Sequence, residues 1–205
     1  MTDLLRELPL VAILRGVTPA RVEGVAAALF DAGLRAIEVP LNSPEPFKSI
    51  EILAKAYGER CLTGAGTVLD AADVDRVADA GGRLLVTPNT NPAVIARAAE
   101  KKMVVMPGFY TPSEAFAAIA AGARALKLFP AATAGVAHLK SLLAVLPKDV
   151  PVYAVGGVGA GNMKEWRWAG AAGFGMGSDL FKPDFSDEEI AVCARQCVAA
   201  FRAAG

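Results

Sequence analysis

The chain has 205 residues, 54% of them apolar, and its 21 Lys+Arg balance 21 Asp+Glu. That length and apolar content support one domain, residues 1–205, with a sizeable core, and exclude a disordered chain. Zero net charge without a basic stripe argues against a nucleic-acid partner, and no run approaches the roughly 20 apolar residues that a membrane span needs.

The N-terminal stretch MTDLLRELPL has no charged-then-apolar leader pattern. Beyond it, short apolar runs rich in β-branched residues alternate with alanine-rich segments of helical period. The predicted strands are Leu10 to Leu14, Ala36 to Leu41, Leu62 to Gly66, Leu84 to Thr87, Met103 to Met106, Ala125 to Phe129, Val152 to Val155 and Gly173 to Met176. Thr18-Pro19, Ser43-Pro44, Asn91-Pro92 and Thr111-Pro112 each set a capping residue before a proline suited to a first helical turn. Gly33, Gly81, Gly122 and Gly170 close helices ahead of the next strand, and a terminal helix is predicted over Asp187 to Ala203. Eight strand–helix units with continuously apolar strands predict a parallel sheet covered by helices. The expected form is a compact α/β TIM barrel, (β/α)8, with short loops.

Three cysteines, Cys61, Cys193 and Cys197, are an odd number without disulfide-framework spacing. They point to core packing in a reducing cytoplasm. His138 is the only histidine, so no multi-histidine metal site can be built; a carboxylate site for magnesium stays open, although acidic residues do not cluster at the strand ends. Gly64-Ala65-Gly66 resembles part of a dinucleotide fingerprint but lacks the third glycine and helix at the required spacing. Trp166 and Trp168 fall on one helix, where packing against the barrel or a second subunit is expected.

Two residues break the strand pattern. Lys127 stands inside ALKLFP and Glu38 inside AIEVPL, each a single charge in an apolar run. Alone, Lys127 reads as an edge-strand residue facing water, since buried lysines are rare. In a barrel, however, both side chains can point to the centre near the C-terminal mouth, where the active site of this architecture lies. A structural ion pair is the alternative for the two. Gly156-Gly157 after the seventh strand and Gly177-Ser178 after the eighth offer backbone N–H groups where such barrels bind phosphate.

The segments AILRGVTP, IEVPLNSP, GAGTVL, VTPN, ALKLFPA, AVGGV and GMGSDL, in that order from Pro9 to about Phe181, carry a family resemblance. The chain resembles the 2-keto-3-deoxy-6-phosphogluconate/galactonate aldolases, class I lyases with a small (β/α)8 fold, and within them looks like the galactonate branch. The resemblance implies Lys127 as the Schiff-base lysine and Glu38 as the acid/base. It implies Arg15 and Thr67 as substrate contacts, Pro88 and Phe129 as pocket lining, and Gly156, Gly157, Gly177 and Ser178 as phosphate loops. The gluconate-type pattern has arginine where this chain has Asn42 and threonine where it has Val155, so both are placed among the substrate-binding positions. A phosphorylated 2-keto-3-deoxy sugar acid is the implied substrate, with no cofactor, and the implied assembly is a homotrimer.

Overall fold

Helix starts and stops follow from local chemistry, as two capping boxes illustrate. Thr111 accepts a hydrogen bond from the Glu114 N–H while the Glu114 carboxylate accepts from the Thr111 N–H, and Ser186 and Glu189 repeat the arrangement. At helix ends, Gly33, Gly81, Gly122 and Gly170 all take positive φ, which lets the chain reverse into the following strand. The computed structural model describes residues 3–205. In chain order its elements are α1 Asp3–Glu7, β1 Leu10–Ile13, α2 Pro19–Asp31, β2 Ala36–Pro40, α3 Pro46–Tyr57 and a 3-10 turn Gly58–Arg60. There follow β3 Leu62–Gly66, α4 Ala71–Asp79, β4 Leu84–Val86, α5 Pro92–Glu100, β5 Val104–Met106 and β6 Gly108–Phe109. The rest are α6 Pro112–Ala120, β7 Leu126–Leu128, α7 Ala131–Leu143, β8 Val152–Val155, α8 Met163–Trp168, β9 Gly173–Met176 and α9 Asp187–Ala203.

All strand pairs are parallel, in the order β5-β4-β3-β2-β1-β9-β8-β7-β6. The two ends of that order, β5 and β6, are consecutive in sequence and separated only by Pro107. They are two halves of the fifth barrel strand, one pairing β4 and the other pairing β7. Proline has no N–H to give a ladder, so the strand breaks there, while the Pro107 carbonyl still accepts from the Lys127 N–H at 2.9 Å. The expected eight-unit α/β TIM barrel is therefore the observed fold.

One expectation is corrected, and one element had no sequence signal. Ser43-Pro44 does not open a helix: α3 begins at Pro46, and Ser43 Oγ instead accepts a hydrogen bond from the Gly16 N–H at 2.9 Å. The short helix α1 was not legible from MTDLLRELPL. Only two residues separate it from β1, so it lies at the N-terminal end of the barrel, where Leu5 joins the interior cluster.

The core divides by strand parity. Leu10 and Ala12 face the helices, whereas Val11 and Ile13 face the barrel interior, as period-2 alternation requires. The same parity puts Glu38 with inward Ala36, and Lys127 with inward Ala125 and Phe129. Cys61 and Cys197 are buried free thiols, and Cys193 is partly buried and also free. Trp166 is buried, but Trp168 on the same helix is 73% exposed, with the Lys164 ammonium over its ring.

Candidate active site

At the C-terminal mouth the interior stops being wholly apolar. Glu38 is 1% exposed and Lys127 6% exposed, on strands that face one another across the barrel. Desolvation dominates both. Burial pushes the Glu38 carboxyl up to about 7, against the lowering pull of Lys127 and then Arg15. Burial likewise lowers the Lys127 ammonium, opposed by Glu38 and aided by Arg15. Each group is thus driven towards its neutral form. The two share a small pocket of about 10 Å³ lined also by Val86, Met106 and Tyr153, yet Glu38 Oε2 has no hydrogen-bond partner among the described residues. The Lys127 Nζ lies 4.8 Å from the centroid of the Phe129 ring.

Room for the Glu38 carboxylate comes from the neighbouring strand. A Cβ added at Gly66 would overlap that carboxylate, so the glycine is what lets an acid stand at this point in the barrel wall. The GAG sequence is therefore part of the site as a close-approach device. Reading it only against a dinucleotide fingerprint missed that role.

Above Lys127 opens a cavity of about 360 Å³. Arg15, Lys127, Phe129, Val155, Gly156, Gly157, Gly177 and Ser178 all line it. Gly156 and Gly157 both have positive φ, at 93° and 74°, a backbone that a side chain adopts only with strain. Gly157 also lies close to Ala132, whose methyl a Cβ would approach to 2.5 Å. Arg15 Nη1 donates to Asn42 Oδ1 at 2.7 Å, so these two expected positions meet through each other, with Arg15 the one that reaches the cavity.

Thr67 and Pro88 are not among the residues lining either space. Thr67 follows β3 with φ of 56°, and Pro88 backs onto Gly108, where a Cβ would overlap its carbonyl. Asp179 and Lys182, unmarked by the sequence pattern, do line the cavity. They sit in the loop after β9, where an exposed charged residue gives no periodic signal. His138 lies apart, stacked on Tyr110 with Nε2 2.7 Å from the Tyr110 carbonyl oxygen. Among the described residues no group of three or more His, Cys, Asp or Glu could hold a metal ion.

The model of a family described as "KDPG and KHG aldolase" matches residues 1–194. The chain belongs to this aldolase family. A relative from Rhizobium meliloti (strain 1021), named probable 2-dehydro-3-deoxy-6-phosphogalactonate aldolase, is 51% identical over 197 residues, covering 96% of this chain and 93% of that protein. The 2-dehydro-3-deoxy-6-phosphogalactonate aldolase of Escherichia coli (strain K12) is 48% identical over 97% of each chain. A solved structure described as "Native KDPGal structure" superposes with a TM-score of 0.95 at 48% identity, covering 97% of this chain and 96% of that one. Family membership gives the inward lysine and carboxylate of this barrel a common context.

Proposed function

We propose that this aldolase-family chain is a class I lyase that cleaves 2-dehydro-3-deoxy-6-phosphogalactonate to pyruvate and glyceraldehyde 3-phosphate. The observation that carries the reading is Lys127: an amine sealed inside the barrel, its charge disfavoured by burial, at the base of a cavity whose far wall is made of glycine loops. The galactonate assignment rests on the relatives at 51% and 48% identity, both named for that substrate. The Arg15–Asn42 pair at the mouth supports it as a contact for the sugar hydroxyls.

In this mechanism the neutral Lys127 amine adds to the C2 ketone to give a carbinolamine, and loss of water gives an iminium ion. Glu38 passes the protons for these steps. It then takes the C4 hydroxyl proton as the C3–C4 bond breaks, with the bonding electron pair moving into the iminium to form an enamine. The C4 fragment leaves as the aldehyde, the enamine is protonated at C3, and hydrolysis of the new iminium frees pyruvate and the lysine. Backbone N–H groups of Gly156, Gly157, Gly177 and Ser178 hold the phosphate, which fixes the reacting carbons over Lys127. Phe129 and Val155 line the cavity beside the reacting end.

Treatment with pyruvate and borohydride tests the covalent step. A reduced pyruvyl adduct mapping to Lys127 is expected, and Lys127→Ala is expected to abolish both adduct and nearly all turnover. An unlabelled Lys127 would overturn the mechanism, and faster cleavage of the C4 epimer would overturn the substrate. We propose further that residues 1–205 act as one domain and assemble as a homotrimer in the cytoplasm. Free cysteines and the exposed Trp168 support this reading.

A further inference from the structure

The loop between β9 and α9 crosses the mouth of the cavity and carries a cation that the mechanism above leaves unused. Lys182 lines the same cavity as Gly156, Gly157, Gly177 and Ser178. It is exposed, and its ammonium rests over the Phe185 ring, 5.0 Å from the centroid. A cation–π contact at an exposed site is worth only about 0.5–1 kcal/mol. An arriving anion therefore needs little to draw the ammonium off the ring.

The backbone beneath this side chain is held firmly. From α2, Arg21 Nη1 donates to the Pro183 carbonyl at 3.3 Å, and its Nη2 donates to the Phe185 carbonyl and to Asp187 Oδ1, each at 2.9 Å. On the other side the Pro183 ring packs against Gly16, where a Cβ would come within 3.0 Å of it. Lys182 thus stands on a fixed base placed beside the Arg15 loop.

The charges facing the cavity decide what it can do there. Arg15, Lys127 and Lys182 are the basic side chains on its wall, and Asp179 is the acidic one. Arg15 is turned to Asn42, and Lys127 is the covalent centre of the proposed chemistry. Lys182 is the cation that remains to offset Asp179 at the glycine-loop end.

We propose that Lys182 binds the phosphate of the substrate, closing over an anion already seated on the fixed N–H donors. This inference rests on the aldolase reading, and the experiment separates the two. Wild type and Lys182→Met are assayed with the 6-phosphorylated substrate and with its unphosphorylated counterpart. The expected result is a fall of about three- to fivefold in the preference for the phosphorylated substrate, carried by KM, as for one partly exposed ionic contact. The fall shrinks at high salt, and Lys182→Arg restores the preference. An unchanged preference ratio, or equal losses on both substrates, overturns the role of Lys182. If wild type cleaves neither substrate, the aldolase reading fails. Calorimetric titration with inorganic phosphate then decides Lys182 separately: weaker binding by Lys182→Met than by wild type upholds its role, and equal binding overturns it.

Discussion

Glu38 and Lys127 face each other at the mouth of an apolar barrel, and burial settles how they coexist. Desolvation raises the carboxyl to about 7 and lowers the ammonium, so burial pulls each group towards its neutral form against the attraction between their charges. As pH rises through about 7, Glu38 ionises and the free-amine fraction of Lys127 grows. We therefore expect kcat/KM for cleavage to climb through about pH 7, well above the ordinary carboxyl value of 4.5. The same shift is linked to stability. A carboxyl whose folded pKa lies above its unfolded value favours the fold in its protonated form. That contribution is fully present below about pH 4.5 and is lost as pH rises through about 7. Glu38→Gln should thus abolish turnover while raising Tm relative to wild type at pH 8 and leaving it nearly equal at pH 4, checked by calorimetry at both values. Gly66 supplies the third residue-scale test. It lies in extended β3, where alanine is acceptable to the backbone, so the cost of Gly66→Ala falls on the carboxylate it would displace. A loss of about a hundredfold in kcat is expected, the usual result of misplacing a reacting group by about 1 Å. Kinetics on a variant shown by circular dichroism to be folded would check it.

At the scale of elements, period-2 alternation decides that Glu38 and Lys127 point inward, because each shares parity with neighbours in the interior cluster. The strand sequences were legible for that reason, and β3, β8, β9 and α9 fall where the pattern put them. Local chemistry misled where a cap signal met a tertiary demand. Ser43-Pro44 has the form of a helix start, yet Ser43 satisfies the Gly16 N–H of a neighbouring loop and the helix waits for Pro46. Thr111-Pro112 had no such competitor and makes a full capping box. Glu114 there accepts from the Tyr110 N–H at 2.9 Å and the Thr111 N–H at 2.7 Å, and those bonds hold its carboxyl below the usual range. Removing the cap oxygen with Thr111→Ala should cost about 1 kcal/mol and lower Tm by about 2–4 °C, read from thermal unfolding.

At the scale of the whole molecule, the site exists only because the sheet closes. Residues after β1, on β2, on β7 and after β8 and β9 converge on one mouth, and closure runs through the single residue Pro107. Trp168 bears on the next level of assembly. Its indole is 73% exposed with the Lys164 ammonium over the ring, an aromatic of the kind that subunit interfaces favour. The proposed homotrimer predicts a sedimentation mass near three times the 21.2 kDa chain. A mass of one chain would rule it out. The sequence by itself determined the alternation of strands and helices, the barrel, and the two misplaced charges. Hydrophobic period and turn chemistry are local properties and are written residue by residue. Only the tertiary structure decided that Gly66 makes way for Glu38, that Arg15 leans on Asn42, and that Lys182 overhangs the cavity. Those facts depend on distances between segments remote in the chain, which no local pattern encodes.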